Sequence, residues 1–359
     1  MRFKEFNTAW IHSKIGEICE IEMCKRIFSN QTNTIGGVPF YKVGTIGGKP
    51  DTWISENLFN EYKDKYNYPQ KGEILITCSG TVGKCIIFNG KDAYFQDSNI
   101  VWLANKSTVL DIFLFYIMNN IDWSYLNSTT ITRIYGSDLR NLNFYYPNNK
   151  NEQQKITDFL SLLDQRIDTQ SKIIEKYKSL IKVINQMMCN FDHEKIQVQN
   201  VFDFKEKTKH QANMGNSQGN FIYFTNEEST YKYFDSYDFD GEYIIANTGG
   251  KANFKYYNGK FAVMSDCLVM ECNDNQNTKF YLYSILNRID YINQVCFVGS
   301  GLKHLDKKLF LKTFITKFNK NLEPFINLII LLEKKISNDK ILLQKLKEQK
   351  KYLLSNMFI

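Results

Sequence analysis

Two glycine-rich stretches combine the residue types that bind phosphate groups. Gly80-Thr81-Val82-Gly83-Lys84 and Thr248-Gly249-Gly250-Lys251 each follow an apolar run. Glycines let backbone amides approach a phosphate closely, and lysines add positive charge. A Walker A loop needs four residues between its glycines and a Ser or Thr after the lysine, whereas Cys85 and Ala252 follow here. The pattern excludes a nucleoside triphosphate site and leaves two interpretations, contact with DNA phosphates or plain turns at strand ends.

Basic, polar and aromatic residues near the ends of other predicted loops extend the candidate DNA contacts. Taken singly, each of them has an ordinary alternative as a solvated surface residue. We predict that the DNA-binding residues are Lys42, Thr45, Ser79, Thr81, Lys84, Arg133, Tyr135, Lys251, Asn253, Lys255, Lys303 and His304.

The chain offers no recognisable catalytic set. It contains no spaced carboxylate dyad, nucleophile–base pair, methyltransferase motif of the Asn-Pro-Pro-Tyr type or glycine-rich dinucleotide fingerprint. The four histidines are far apart and no CxxC occurs, so we expect no structural zinc site. The eight cysteines are expected to be buried thiols. We therefore expect a chain without enzymatic activity, bound metal or cofactor of its own.

Composition indicates a folded, mildly basic protein of two domains. The chain has 359 residues, of which 43% are hydrophobic and 15% aromatic, enough for packed cores. A net charge of +7 permits nucleic-acid binding without requiring it. No apolar run approaches the roughly 18 residues of a membrane span, and the N-terminal residues lack a signal-peptide core. We expect a cytoplasmic protein.

Both glycine-rich stretches lie within an internal repeat. Thirty positions from Gly72 align without a gap with thirty from Gly241, and nine of these pairs are identical. Chance would give about two. Weaker matches join 38–45 to 220–226 and 133–147 to 303–316. The sequence therefore predicts two diverged copies of one module.

Each copy ends in a long run of apolar residues at alternating spacings of four and three. Such sustained heptads favour a coiled coil, in which the two helices run antiparallel with one module at each end. About 33 helical residues would span roughly 50 Å. The alternative is two helices that each pack on their own domain. We predict that the spacer helix seam is formed by Ile156, Leu160, Leu163, Ile167, Ile174, Ile181, Ile329, Leu332, Ile336, Leu343 and Leu346.

The modules themselves are predicted to be α+β. Short β-rich segments alternate with turn residues, and Asn89-Gly90 and Asn258-Gly259 carry the strongest short hairpin signal. Residues 109–121 and 278–289 have the composition of short buried helices. The predicted domains are residues 1–150, a central spacer helix 151–191, residues 192–319 and a C-terminal spacer helix 320–359.

The chain resembles the specificity (S) subunits of type I restriction-modification systems over essentially its whole length. The resemblance rests on the tandem order of module, helix, module, helix and on four motifs. They are VPFYKVGTI, KGEILITCSGTVGK with its echo DGEYIIANTGGK, RIYGSDLRNLNFYYP, and EQQKITDFLSLLDQRI. The run from Pro147 through Glu152-Gln153 to Ile167 is the most specific. The second copy lacks that proline and the Glu-Gln pair, which leaves the path of its junction open, and its glycine turn lacks an equivalent of Gly83.

The resemblance implies two target recognition domains, each reading one half of a split, asymmetric DNA site. The helices, in an internal pseudo-two-fold repeat, would fix the gap between the halves and carry two methyltransferase (modification) subunits. Those partners would methylate adenine with S-adenosylmethionine, and restriction subunits would use ATP and Mg. The alternatives are a self-contained nuclease with a DNA-reading repeat and a non-catalytic coiled-coil scaffold with two protein-binding modules. The DNA sequence, the spacer length in base pairs and the presence of a restriction subunit stay open.

Overall fold

The computed structural model describes residues 3–123, 133–190, 194–226, 232–273 and 277–357. The chain divides into two compact units. Unit 1 comprises Met1–Ser171 and Leu342–Ile359, and unit 2 comprises Lys172–Ile341. Among the helices that the structure describes, none is both long enough and apolar enough to cross a membrane.

Unit 1 mixes short strands with helices, as the α+β prediction expects. Strands Ile74–Thr77 and Ile100–Asn105 are apolar runs buried along most of their length, which is typical of central strands. The elements in chain order are β1 Trp10–Lys14, α1 Ile15–Ile18, β2 Cys19–Met23, β3 Thr32–Asn33, β4 Val38–Tyr41, β5 Trp53–Ile54, α2 Glu56–Lys65, β6 Ile74–Thr77, β7 Cys85–Ile87, β8 Tyr94–Phe95, β9 Ile100–Asn105, α3 Asp111–Asn120, α4 Gly136–Asn141, β10 Asn143–Pro147 and α5 Lys150–Asn190, whose second half belongs to unit 2.

Unit 2 contains the longer strands of the chain. Its elements are β11 Lys195–Gln197, β12 Phe202–Phe204, β13 Phe221–Phe224, β14 Lys232–Phe234, β15 Phe239–Asn247, β16 Phe254–Val263, β17 Cys267–Cys272, α6 Thr278–Leu286, α7 Ile289–Tyr291 with a π-helical turn Ile292–Cys296, β18 Phe297–Val298, β19 His304–Leu305, α8 Lys307–Leu311, β20 Phe314–Thr316 and α9 Glu323–Met357, whose last part returns to unit 1.

The two units order their strands in the same way. Unit 1 has the sheet β2-β9-β6-β7, and unit 2 has β12-β17-β15-β16 within a six-stranded sheet. A parallel pair, β4 with β8 and β13 with β16, occurs in both. The two-stranded ribbons β1–β10 and β11–β20 also correspond. Strand order therefore follows the internal sequence repeat even where the residues have diverged.

The Asn-Gly hairpins predicted from the sequence are wrong. Asn258 and Gly259 lie inside β16, where Gly259 faces Gly241 across the β15–β16 ladder. Both glycines have positive φ, +129° and +139°, so this distorted pair suits residues without a Cβ. In unit 1 the turn at Gly90 leads from β7 to β8, but β8 pairs in parallel with β4. The antiparallel hairpins are instead closed by the glycine-rich stretches.

The long helices α5 and α9 contribute to both hydrophobic cores. In unit 1 the start of α5 shares its core with the end of α9, and in unit 2 the end of α5 shares its core with the start of α9. Their coiled-coil pairing stays a prediction. Of the predicted seam residues, those that are buried are Ile156, Leu160, Leu163, Ile174, Ile329, Leu332, Ile336 and Leu346, whereas Ile167, Ile181 and Leu343 are partly buried.

The Glu152-Gln153 pair joins the start of α5 to two distant segments. Both side chains are buried. Trp10 Nε1 donates to Glu152 Oε1 at 3.1 Å. Gln153 Nε2 donates to Pro147 O at 2.8 Å, and its Oε1 accepts from Leu110 N at 2.8 Å. The buried polar pair therefore fixes where the first long helix leaves its module.

Candidate nucleic-acid interface

The first glycine-rich stretch is a hairpin loop between β6 and β7. Gly80 and Gly83 take positive φ values of +65° and +79°. The side chain of Thr77, at the end of β6, is buried beneath the loop and bonds to the loop backbone. Its hydroxyl donates to Thr81 O and accepts from Lys84 N at 3.0 Å. The exposed loop residues are therefore carried on a backbone fixed at its base.

Two further segments meet this loop. Ser79 Oγ donates to Asn99 Oδ1 at 2.8 Å. Ile134 N donates to Cys78 O at 2.9 Å, so the segment that leads into α4 lies beside the loop. Of the predicted DNA contacts, the structure thus brings Ser79, Thr81 and Lys84 together with the Arg133–Tyr135 segment.

Several predicted contacts in unit 1 already have partners within the chain. Lys84 Nζ donates to Ile46 O. The Arg133 guanidinium donates to Ser98 O at 3.1 Å and to Ser98 Oγ at 2.9 Å. It also lies 5.9 Å from the ring centroid of the exposed Tyr135. These cations tie loops to one another while they stay near the surface.

Lys42 and Thr45 form a small turn of their own. Thr45 Oγ1 accepts from Lys42 N at 3.0 Å, and Lys42 Nζ lies 3.1 Å from Asp51 Oδ1. Hydrogen bonds from Thr52 and then Lys42 lower the pKa of the Asp51 carboxyl. The ion pair offsets part of the charge that Lys42 would offer to DNA.

The second glycine-rich stretch closes the β15–β16 hairpin in unit 2. Here Asn247, at the end of β15, bonds to the loop backbone as Thr77 does in unit 1, although the repeat aligns Asn247 with Cys78. Its Nδ2 donates to Gly249 O at 2.7 Å and to Lys251 O at 2.5 Å. Its Oδ1 accepts from Asn253 N at 2.8 Å. A single side chain at the strand end again organises the loop backbone.

The predicted residues Lys303 and His304 lie beside this second loop. Gly250 N donates to Lys303 O and Leu305 N to Thr248 O, both at 2.8 Å. His304 forms an isolated bridge with Gly249, as Arg133 does with Ser79 in unit 1. In both units, therefore, the segment before a short helix is bonded to the glycine loop.

A cleft of about 510 Å³ adjoins the loop of unit 2. It is lined by His304 and by Lys205, Lys207 and Lys307, three lysines that the sequence analysis missed. Their signal was the basic run KEKTKH at 205–210 and the Lys-Lys pair at 307–308. The predicted contact Lys255 lies elsewhere, lining a different cleft beside Tyr256 and Tyr257.

The two cysteines beside the first glycine loop are buried thiols. Burial raises the pKa of Cys78 to about 11 and that of Cys85 to about 12, so these thiols stay protonated and unreactive at neutral pH. The seven cysteines whose side chains are described are buried and free, as predicted. Among the described residues, no group of His, Cys, Asp and Glu is placed to hold a metal ion. The two loops present backbone amides, lysines and amide side chains, groups of the kind that contact nucleic-acid backbone and base edges.

Comparison with known proteins relates the chain to one family. A family model described as "Type I restriction modification DNA specificity domain" matches residues 7–178. The curated protein named "Putative type I restriction enzyme specificity subunit" from Haemophilus influenzae is 40% identical over 183 residues. That alignment covers 50% of this chain and 47% of the relative, so the match spans about half the length of the curated relative.

Solved structures share the fold over nearly the whole chain. The S subunit of a type I restriction-modification system from M. genitalium aligns with a TM-score of 0.68 at 18% identity, covering 100% of this chain and 99% of that one. A chain from a structural study of complex assembly and conformational transition in a type I R-M system aligns with a TM-score of 0.56 at 11% identity, covering 97% of both. At these identities the likeness concerns the fold alone.

Proposed function

We propose that the chain is the DNA-specificity subunit of a type I restriction-modification complex, because its residues 7–178 match the family model described as "Type I restriction modification DNA specificity domain". Each unit reads one half of a bipartite, asymmetric site in double-stranded DNA. The chain directs adenine methylation and restriction by its partners and contributes no catalytic group. In this proposal it acts in the cytoplasm, together with the DNA that it binds.

One observation carries the proposal. In both units a hairpin loop at the end of a buried central strand is hydrogen-bonded to the segment before a short helix. The two loops keep this backbone arrangement, yet their outward residues differ, with Thr81 and Lys84 in one and Lys251 and Asn253 in the other. Backbone amides and lysines position DNA phosphates, while variable polar side chains read base edges. Two such loops in one chain suit a site with two different halves.

In this proposal the rest of the chain separates the two DNA-reading loops and holds the partner subunits. Residues 1–150 and 192–319 are the target recognition domains, and α5 and α9 pair as an antiparallel coiled coil that separates them. Two modification subunits bring S-adenosylmethionine, and restriction subunits bring ATP and Mg. Flipping of the target adenine takes place on the modification subunit, because methylation requires the base outside the stack.

Methylation sequencing of host DNA, with the gene intact, deleted and restored, tests this function. We expect one bipartite adenine-methylated motif to vanish on deletion and to return on restoration. The motif itself would reveal both half-sites and the spacer between them. An unchanged methylome in cells that make active modification subunits would contradict the proposal. The purified chain with its modification subunits should also bind DNA with a strong salt dependence, which a scaffold would lack.

A further inference from the structure

Three lysines from two separate segments of the chain line the cleft beside the glycine loop of unit 2. Lys205 and Lys207 follow β12, and Lys307 is the first residue of α8. Lys205 makes an ion pair with Glu271. Lys207 and Lys307 are exposed, and neither ammonium group makes a hydrogen bond or ion pair with a residue that the structure describes. The Lys307 ammonium lies 4.7 Å from the ring centroid of Phe204, a contact that leaves its charge uncompensated.

The segment that carries Lys207 is fixed on both sides. Lys205 N donates to Val269 O at 3.0 Å, and Thr208 Oγ1 donates to Val263 O at 2.6 Å. The backbone under Lys207 is therefore in place before any ligand arrives. Ordering this lysine on an anion costs less conformational entropy than ordering one on a free loop.

The register of the strands identifies the corresponding positions in unit 1. Met23 on β2 pairs with Val101, and Phe204 on β12 pairs with Met270, which lies 169 residues after Val101 as the repeat requires. Met23 therefore corresponds to Phe204, and the first two lysines correspond to positions 24 and 26. The third lysine begins α8, so it corresponds to the residue that begins α4.

Unit 1 carries no such cluster at these positions, which are occupied by Cys24, Arg26 and Gly136. Cys24 is buried, and the glycine has no side chain. Arg26 Nε lies 3.9 Å from Asp97 Oδ2. The counterpart of this aspartate in the repeat, Asp266, lines the unit 2 cleft but makes no ion pair with a residue in the described part of the chain. The two copies therefore differ in available positive charge at equivalent places.

The cations predicted as DNA contacts differ between the units in the same direction. In unit 1, Lys42, Lys84 and Arg133 all donate to oxygen atoms of their own unit. In unit 2, Lys251 and Lys303 beside the glycine loop are exposed, and their ammonium groups have no hydrogen bond or ion pair within the described residues. Among these cations, those without a partner lie in unit 2.

We propose that the unit 2 cleft binds a phosphate group of the DNA backbone through Lys207 and Lys307, and that unit 2 supplies more of the sequence-independent affinity for DNA than unit 1. An ammonium group beside a phosphate releases a condensed counterion, and this release makes binding depend on salt. The inference rests on the proposed function, because it takes the glycine loop of unit 2 to face DNA. It adds an asymmetry between the units that their common strand order does not predict.

The test measures how the DNA affinity of the full chain, in complex with its modification subunits, changes with salt. The probe is a duplex of random sequence, because the cleft is expected to act on the backbone alone. Each lysine that contacts a phosphate contributes about 0.9 to the slope of log K against log salt. Lys207→Gln and Lys307→Gln should each reduce the slope by about that amount and weaken binding about eightfold at roughly 0.1 M salt. Lys207→Arg should keep most of the slope, because it keeps the charge.

Two variants with the same loss of charge serve as controls. Arg26→Gln alters the position in unit 1 that corresponds to Lys207. Lys260→Gln removes an exposed lysine of unit 2 toward the end of β16 that is remote from the glycine loop. We expect both variants to leave the slope close to the wild-type value. Thermal melts check that every variant is folded, which we expect because the altered side chains are exposed.

Unchanged slopes for both Lys207→Gln and Lys307→Gln would overturn the phosphate site while leaving the proposed function standing. An equal reduction by Arg26→Gln would overturn the asymmetry between the units, and a slope that Lys207→Arg fails to keep would overturn the role of charge. A wild-type complex whose affinity for DNA does not depend on salt would overturn the proposed function together with this inference.

Discussion

Thr77 and Asn247 perform the same task with different chemistry. Each stands at the end of a central strand and satisfies the backbone of the glycine loop that follows, Thr77 through a hydroxyl and Asn247 through an amide. Because the loop backbone is held from the strand end, the outward residues are free to differ between the copies. The residue at the strand end thus fixes the loop backbone, and the exposed residues of the loop give each loop its own chemistry.

Gly83 and Gly250 should respond differently to alanine. Both have positive φ, +79° and +82°, but a Cβ at Gly83 would lie 2.1 Å from Trp123 Cδ1, whereas nothing lies within 4 Å of a Cβ at Gly250. We expect Gly83→Ala to lower the free energy of unfolding by about 3 kcal/mol through strain and overpacking. Gly250→Ala should cost about 1 kcal/mol from backbone strain alone. Urea denaturation of the two variants measures this difference, and equal losses would contradict the packing of Trp123 on the loop.

Glu73 should make the folded chain less stable as pH rises. Burial raises the pKa of Glu73, the carboxylates of Glu22 and Asp111 raise it further, and the hydrogen bond from Gln70 N opposes them. A carboxyl with a raised pKa in the folded state favours folding below its unfolded pKa, and this advantage is lost as pH rises through the folded pKa. Glu73→Gln should therefore raise the thermal midpoint at pH 7 and leave it nearly unchanged below about pH 4.

Glu20 supplies a control of opposite sign for this measurement. Its carboxylate lies 2.7 Å from Lys106 Nζ, and that hydrogen bond lowers the pKa of Glu20. Glu20→Gln should lower the midpoint slightly at neutral pH, with the difference disappearing as pH falls through the folded pKa. A Glu73→Gln variant that is less stable than the wild type at pH 7 would show that the Gln70 hydrogen bond outweighs burial.

Among the helices and strands, the local sequence pattern predicted the elements whose formation depends mainly on neighbouring residues in the sequence. The buried strands β6 and β9, the helices α3 and α6 and both long helices follow from apolar runs and heptad spacing. The course of β16 through Asn258-Gly259 does not, because its pairing with Gly241 on β15 overrides the turn preference of the dipeptide. The pairing of β1 with β10 could not be predicted from the local pattern either, because Trp10 and Pro147 come together only in the folded chain.

In the candidate interface, too, residue type predicted some features, whereas contacts between distant segments of the chain decide the others. The glycine loops and their lysines were identified from residue type, but the partners of Lys84 and Arg133 come from distant loops, at Ile46 and Ser98. No local signal reveals that such a cation is already engaged. The cleft lysines of unit 2 were missed for the converse reason, because they gather from separate segments of the chain.

The start of α5 should depend strongly on Gln153. Gln153→Ala removes both hydrogen bonds and leaves the partly buried Leu110 N and the buried Pro147 O without this partner. We expect a loss of about 3 kcal/mol in the free energy of unfolding. The neighbouring Gln154 is the control, because its amide donates to Asp158 Oδ1 on the exposed helix surface, and Gln154→Ala should cost about 0.5 kcal/mol or less. Similar denaturation midpoints for the two variants would contradict this role of the buried amide.

For the whole molecule, the internal duplication gives two units that each carry a core and a glycine loop. Each unit has its own core and its own glycine loop, while α5 and α9 continue from one unit into the other. A change confined to one loop surface therefore leaves the other unit's loop and both cores in place. If each unit reads half of the DNA site, altering one loop should change one half of the recognised sequence and leave the other half intact.

Asn253→Ala in unit 2 and Thr81→Val in unit 1 test whether the two glycine loops act independently of each other. Both change side chains on the outer loops, and neither removes the backbone bonds that Asn247 and Thr77 make. A bidentate amide contact to a base edge contributes about 1–3 kcal/mol of discrimination, so Asn253→Ala should relax one position by roughly fivefold or more, and loss of the single Thr81 hydroxyl should relax one position by less. Methylation sequencing of strains carrying each variant should show relaxation in one half of the motif for Asn253→Ala and in the other half for Thr81→Val. Relaxation of the same half by both variants would mean that the two loops converge on one sequence, and the division of the site between the units would be wrong.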